Sequence, residues 1–381
     1  MSRTHTWHSA VAGAVVSAVA LATVQVAAMP AANATTTDRP AATAAPSAVS
    51  TLESQTARAV ATSLVDRDWS SQVQAATLTS AQVNLHALTT AATAPAGEHL
   101  RKAVANADRG IAAAKGLGSD TGPLLRIRLG DTSMRDALEA GATPLVAAAP
   151  NDDTAETITA WNVRGQAVTL DAATVPDQPV YIVDVDVSKA LSAGLKVLDQ
   201  QLAEQGISSP AQTVNTATAG WWATKITSIR VSDDEEPWVK GDAEMFSLVS
   251  GFGLDGKVRV DTVDMPYLDN DGTTYYPNQI LVNWSNYKYN LADAVLMEDD
   301  GDTNYLALAK ALASALLTIT DQGTYVPLVN ALLDAMPTSW WTDDPDYVDS
   351  WYTLAKDGSG LLNGARGNGW MTVEPYFVQQ F

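Results

Sequence analysis

Cysteine is absent from this chain of 381 residues, and histidine occurs only four times. A protein without cysteine forms no disulfide bond, so we expect its stability to come from a hydrophobic core or from bound metal. Only His86 and His99 follow the first 34 residues. The sequence therefore offers neither a histidine-rich catalytic zinc centre nor a structural cysteine site, and no zinc is expected.

Basic residues are scarce as well, because 23 Lys and Arg stand against 43 Asp and Glu and give a net charge of −20 at pH 7. Such a surface repels phosphate groups, so we expect no nucleic-acid partner. Long apolar runs are missing after the N-terminal segment, and the Leu- and Ala-rich stretch 305–319 is too short to span a bilayer. No membrane span is expected once the N-terminal segment has been removed.

The first 34 residues have the pattern of a secretory signal peptide. Arg3 makes the start positive, residues 10–28 are apolar, and Ala32-Asn33-Ala34 is a small-residue cleavage site. A membrane anchor that stays in place is the alternative, but the apolar run is only weakly hydrophobic. We expect cleavage after Ala34 and a secreted, extracellular protein. Residues 35–50, rich in Thr, Ala and Pro, are predicted to be a disordered linker.

Changes of hydrophobic period divide the rest of the chain and predict an α+β fold. Apolar residues at three- and four-residue spacing predict a helical N-terminal region over residues 51–118. Alternating patterns such as LRIRL at 125–129 predict a small, mostly antiparallel β domain over residues 119–206, closed by a helix. Asp184 and Asp186 alternate with valines in that domain, and we place them on the outer face of an edge strand.

Residues 221–381 are predicted to form an acidic antiparallel β-sandwich with C-terminal helices packed against it. If strands that are neighbours in sequence run antiparallel, the first, third and fifth connections emerge at the same end of the sandwich. Those three connections carry clusters of acidic residues, whose charges repel one another unless water, salt or a cation neutralises them. The predicted strands are 224–231, 243–249, 258–263, 279–284, 291–297 and, near the C-terminus, 370–377.

Calcium suits such an acidic rim, because it prefers about six to eight oxygen ligands that converge from flexible loops. No acidic loop has the spacing of an EF-hand. Loops that are merely solvated and acidic are the alternative. The leading interpretation is therefore a secreted protein of unknown role with a calcium-binding sandwich. The candidate calcium ligands are Asp233, Asp234, Glu236, Asp242, Asp269, Asp271, Asp299, Asp300 and Asp302.

A rival interpretation is an extracellular hydrolase of glycans or peptides, which needs only two carboxyl groups at a suitable separation. Glu244, Asp264 and Glu298 are its candidate acids. Trp238 and Trp284 are candidate platforms for stacking a sugar, with a role in the core as the alternative.

Two other classes have less support from the residues. A serine nucleophile would have to borrow His86 or His99, and no G-x-S-x-G motif accompanies any serine. Calcium-mediated attachment to an anionic membrane or envelope polymer would need basic or apolar residues at the rim, where Lys240 is the only basic residue near the clusters. The extracellular ligand is therefore unknown, with a glycan or an envelope polymer as candidates.

Four long strings in the acidic half of the chain carry a resemblance to known proteins. They are DDEEPWVKGDAEMFSLVSG (233–251), VDMPYLDNDGTTYYPNQILVNW (263–284), MEDDGDTNY (297–305) and MPTSWWTDDPDYVDSWYTL (336–354). They resemble an uncharacterised family of secreted bacterial proteins, the domain-of-unknown-function family numbered 3103. The resemblance covers roughly residues 120–378 and leaves out the Ala-rich region before residue 115. It implies a secreted member of that family, with no activity and no functional residues to carry over.

Overall fold

The fold is that of a computed structural model, which describes residues 47–150, 155–208, 220–232, 238–240, 243–299, 301–336 and 347–379. The predicted signal peptide lies outside these residues, and so does the predicted linker up to residue 46. The first helix begins at Ala48, so the last three residues of the predicted linker are helical.

Helices occupy the N-terminal region, as the apolar spacing predicts. The Ser47 hydroxyl accepts a hydrogen bond from the Ser50 N–H and caps the first helix, and Asp66 caps the second. Pro95 begins the fourth helix, where its missing N–H costs no helical hydrogen bond. The helices are α1 (Ala48–Ser63), α2 (Arg67–Thr79), α3 (Leu85–Thr90) and α4 (Pro95–Ala114).

The first sheet has six strands in the order β1-β2-β6-β3-β4-β5. The β3–β6 pair is parallel and the other pairs are antiparallel. A short helix α5 (Arg135–Glu139) precedes β3, and the longer α6 (Val187–Glu204) follows β6. The strands are β1 (Val83–Asn84), β2 (Leu125–Leu129), β3 (Leu145–Ala148), β4 (Thr157–Trp161), β5 (Ala167–Asp171) and β6 (Val180–Val185).

The prediction that Asp184 lies on an exposed edge strand is wrong. Its strand β6 lies between β2 and β3, and Asp184 is buried. The reason is a charge partner on the neighbouring strand, because Arg126 and Arg128 of β2 both donate hydrogen bonds to the Asp184 carboxylate. Alternation of charged and apolar residues is the same whether the charged face meets water or an opposite charge.

Two further sheets form the sandwich. Side chains such as Ile229, Met245, Leu296 and Met371 fill the core between them. One sheet contains β10, β7, β15 and β14 in that order, with β11 also paired to β7, and the other, named sheet C here, has the order β13-β12-β8-β9. The strands are β7 (Gly220–Val231), β8 (Met245–Phe252), β9 (Val258–Asp264), β10 (Thr274–Tyr275), β11 (Gln279–Asn283), β12 (Leu291–Glu298), β13 (Tyr347–Ala355), β14 (Gly360–Asn363) and β15 (Gly369–Gln379).

Helices cover the other face of sheet C. They are α6, α7 (Tyr305–Leu316) and α8 (Val329–Ala335). Phe246 of β8 belongs to the same hydrophobic cluster as Leu312 of α7, Val104 of α4 and Ile127 of β2, so the helical region, the first sheet and the sandwich share one core. The predicted α+β class, with its helical start, antiparallel sheets and C-terminal helices, is confirmed. Among the described residues, no helix has the length and apolarity that crossing a membrane requires.

Candidate functional site

The acidic segments that flank β8, β9 and β12 meet at one end of sheet C. The Asp299 N–H donates to the Glu244 carbonyl at 3.0 Å, and Asp264 pairs in register with Phe246. Glu298 pairs with Met245 on the next strand. We call Glu244, Asp264, Glu298 and Asp299 the acidic rim.

Strand alternation divides the acidic rim between two faces. Met245 lies in the sandwich core, so its partner Glu298 points to that face. Phe246 lies in the core under the helices, so Asp264 and Glu244 point to the helical face. There the Ser188 hydroxyl of α6 donates to Glu244 at 2.8 Å. The predicted acid pairs that include Glu298 are therefore on opposite sides of one sheet.

Basic residues from distant parts of the chain reach this end of the sandwich. Lys115 is fully buried, donates to the Gly301 carbonyl at 2.8 Å and lies 3.6 Å from Asp299. Arg128 donates to the Lys240 carbonyl at 2.8 Å. The sequence predicts only Lys240 as a basic residue near the acidic clusters, because Lys115 and Arg128 are more than a hundred residues away from those clusters along the chain.

Burial also raises the pKa of carboxyl groups near the acidic rim. Glu53 of α1 accepts a hydrogen bond from the Val185 N–H, and burial, aided by the charge of Asp184, raises its pKa to about 8. Burial likewise raises the pKa of Asp264 and brings that of Asp199 to about 6. One oxygen of Asp264, Oδ1, is buried with no hydrogen-bond donor among the described residues.

The predicted calcium ligands are only partly within the structure. Asp233, Asp234, Glu236, Asp242 and Asp300 lie outside the described residues. Of the others, Asp299 is buried beside Lys115, and Asp302 lies close enough to Glu53 to raise its pKa. Asp269 accepts a hydrogen bond from the Tyr275 hydroxyl, and Asp271 is exposed.

The described residues do not supply a ready calcium cage. Among them, no group of three or more His, Cys, Asp or Glu side chains is placed to hold one metal ion. The calcium site therefore stays a prediction.

The two candidate stacking tryptophans lie against the protein's own interior. Trp284 is buried in the sandwich core, where its Nε1–H donates to the Thr224 hydroxyl at 2.9 Å. Trp238 is half-buried and packs closely against Gly130 of the first sheet. Trp284 is therefore a core residue and not a sugar platform.

A second site, which sequence reasoning did not identify, lies between α3 and α4. His86 of α3 faces Asp108 of α4, with 3.6 Å between His86 Nδ1 and Asp108 Oδ2. The other oxygen of Asp108 accepts the backbone N–H groups of Leu124 and Leu125, each at 2.8 Å. At 3.6 Å the two groups form an ion pair when His86 is protonated but no direct hydrogen bond, and neither His86 Nδ1 nor Asp108 Oδ2 has a hydrogen-bond partner among the described residues. The buried Asp108 is thus held rigidly toward a histidine whose side chain is 36% exposed.

His86 and Asp108 line a cavity of about 480 Å³, which we call the α3–α4 cavity. Its walls come from one face of α4 and from the glycine-rich segment 116–123 that leads into β2. Ser119 of that segment also lines it. Mostly apolar cavities of this size with a few converging polar groups are the usual form of small-molecule sites.

The His86–Asp108 pair has no motif that could reveal it. The two residues are on different helices, and their proximity depends on how α3 packs against α4. The one available signal is scarcity, because only His86 and His99 follow the predicted signal peptide. The structure gives the two histidines different surroundings, because His99 is exposed on α4 whereas His86 lies beside the buried Asp108 carboxylate.

The fold and these sites define an α+β protein in which a helical layer and a mixed sheet are joined to an antiparallel sandwich. The chain belongs to the DUF3103 family, proteins of unknown function, which it matches over residues 53–381. This confirms the family resemblance and extends it to most of α1 and to α2–α4, so that the α3–α4 cavity lies within the matched range. No curated protein and no solved structure matches the chain.

Proposed function

We propose that this protein is a secreted hydrolase of ester or amide bonds, in which His86 acts as the general base in the α3–α4 cavity. The observation that carries the proposal is the His86–Asp108 pair on the wall of that cavity. A histidine oriented by a buried carboxylate is a recurring device for activating water or a hydroxyl group.

The geometry assigns each residue a part of the reaction. Asp108 faces Nδ1 and favours the tautomer that carries its proton there, which leaves His86 Nε2 able to accept a proton. His86 removes a proton from water, and the water oxygen bonds to the acyl carbon of the substrate. The bond from that carbon to the leaving oxygen or nitrogen then breaks, and His86 returns the proton to the leaving alcohol or amine.

Ser119 offers a second nucleophile in the same cavity. In that route the Ser119 oxygen bonds to the acyl carbon, His86 passes the hydroxyl proton to the leaving alcohol or amine as its bond to that carbon breaks, and water then hydrolyses the acyl-serine ester to release the acid and restore the hydroxyl. Replacement of Ser119 by Ala distinguishes the two routes, because it abolishes hydrolysis through serine and spares hydrolysis by water.

The test is hydrolysis of 4-nitrophenyl butyrate by the purified protein and three variants. We expect His86→Gln and Asp108→Asn to lower kcat/KM by about 100-fold or more, the usual contribution of a general base. His99→Gln is the matched control, because His99 is exposed on the same helix as Asp108, and it should retain the wild-type rate. No hydrolysis by the wild type, or equal rates in all variants, would overturn the proposal.

The acidic rim is less suited to hydrolysis by paired carboxylates. Glu244 is buried and bonded to Ser188, and Glu298 is buried on the opposite face. A glycan or peptide would have to displace α6 to reach Glu244. We therefore assign the hydrolytic role to the α3–α4 cavity.

Calcium binding at the acidic end of the sandwich is a second candidate function. The observation in its favour is Asp264 Oδ1, a buried carboxylate oxygen without a donor among the described residues, in a chain of net charge −20. Calcium added to metal-stripped protein should then raise its Tm by several degrees, and Asp264→Asn or Asp271→Asn should abolish the rise. The control is Asp171→Asn, at the exposed end of β5. An unchanged Tm at millimolar calcium would remove this candidate.

A further inference from the structure

We infer that the α3–α4 cavity binds an aliphatic acyl chain, so that the substrates are esters or amides of aliphatic acids. This inference rests on the proposed function for its reaction, and on the shape and apolar lining of the cavity for its substrate class.

The shape of the cavity is set by alanines on one face of α4. Ala105, Ala112 and Ala113 all line it. Residues seven and eight apart lie about two turns along the same helical face, so these small side chains form one continuous wall. Leu117 and Pro123 of the following segment supply further apolar surface. Larger residues at the alanine positions would fill the space, so the cavity exists because α4 has alanines there.

Charged groups of both signs surround the cavity, so charge does not select its ligand. Asp108 lies in the wall, and Asp120 Oδ1 is so close to Gly118, another lining residue, that a Cβ on Gly118 would be 2.5 Å from it. Arg109 also lines the cavity, and Lys189 Nζ donates to the carbonyl of the lining Pro123 at 2.6 Å. The substrate class is therefore argued from the apolar wall, which suits an aliphatic group.

The proposal predicts a dependence on chain length. Each methylene that enters an apolar site should raise kcat/KM about fourfold, because burial of a CH₂ group contributes about 0.8 kcal/mol. We therefore expect kcat/KM to rise along the 4-nitrophenyl esters from acetate through butyrate to hexanoate. Ala112→Leu should lower kcat/KM for the hexanoate at least tenfold and should flatten the rise of kcat/KM from acetate to hexanoate. Ala103→Leu is the matched control, because Ala103 is an exposed residue of α4 outside the cavity lining.

A binding measurement separates this inference from the proposed function. Octanamide is titrated calorimetrically into the His86→Gln protein, with acetamide as the short-chain comparison. Octanamide binding that is lost in the Ala112→Leu form supports the inference even if no ester is hydrolysed, which would defeat only the hydrolase proposal. Hydrolysis that depends on His86 but has equal kcat/KM for all chain lengths, or octanamide binding no tighter than that of acetamide, would overturn the inference.

Discussion

The Asp184 carboxylate and the Arg126 guanidinium form a buried ion pair across β6 and β2, with 2.8 Å between Oδ1 and Nε. The second oxygen of Asp184 accepts a hydrogen bond from Arg128. The Arg128 guanidinium also donates to the backbone carbonyls of Val239 and Lys240, next to the acidic end of the sandwich. One carboxylate therefore compensates two buried cations, and Arg128 joins the first sheet to the sandwich. Their combined burial makes the structure sensitive to loss of Asp184.

Replacement of Asp184 by Ala should destabilise the protein by about 3–5 kcal/mol, because it leaves two buried guanidinium groups without their counter-charge. Urea unfolding of the variant measures the effect. Glu374→Ala is the comparison, since Glu374 pairs with Lys225 at 2.7 Å but is 48% exposed, and such a pair contributes at most about 1 kcal/mol. Similar losses from the two variants would contradict the assignment of Asp184 as a buried counter-charge.

Glu53 should make the protein less stable at alkaline pH. Its folded-state pKa of about 8 is raised from an ordinary value of 4.5, so its contribution to stability is fully present below pH 4.5 and is lost as pH rises through 8. Each unit of pKa difference corresponds to about 1.4 kcal/mol. Glu53→Gln keeps an oxygen that can accept the Val185 N–H and removes the titration. The unfolding free energy of Glu53→Gln should therefore fall less than that of the wild type between pH 5 and pH 9. Parallel curves of unfolding free energy against pH for the two proteins would refute the prediction.

Lys115 and Asp299 should show energetic coupling. Lys115→Met leaves the buried Asp299 without its cation and should cost about 3–5 kcal/mol. The double variant Lys115→Met, Asp299→Asn removes both charges and should recover part of that loss, with a coupling of about 0.5–3 kcal/mol. Urea unfolding of the two single variants and the double variant measures this cycle. Strictly additive losses would show that the 3.6 Å approach contributes nothing.

Two helical glycines should respond differently to alanine. A Cβ on Gly194 of α6 would lie 2.3 Å from the ring of Tyr305, so Gly194→Ala forces the α6–α7 packing apart and should cost about 1–3 kcal/mol. A Cβ on Gly110 of α4 would meet the terminal methyl of Leu52 at 2.8 Å. That methyl can move, and alanine is the better helix former, so Gly110→Ala should be neutral or stabilising in thermal unfolding. Equal shifts in Tm for Gly194→Ala and Gly110→Ala would contradict this difference between the two sites.

Much of the fold follows from local periodicity. The spacing of Leu100, Val104 and Ile111 marks the buried stripe of α4, and the alternation of LRIRL marks β2, because these patterns reflect which side of one element meets the core. The prediction omits β1, β10, β13 and β14. The first two have only two residues each, and β14 is a four-residue edge strand whose stability depends on pairing with β15. Pairing of that kind has no local signature.

The sequence by itself determined the acidic charge, the absence of disulfides, the α+β class and the family, because each depends on composition, local period or extended strings of residues. Only the tertiary structure decided what the charged residues do. It paired Arg126 with Asp184 across 58 positions, Lys115 with Asp299 across 184 and His86 with Asp108 through the packing of two helices. Electrostatic energy depends on distance in space and on burial, and neither quantity is written in the order of residues along the chain.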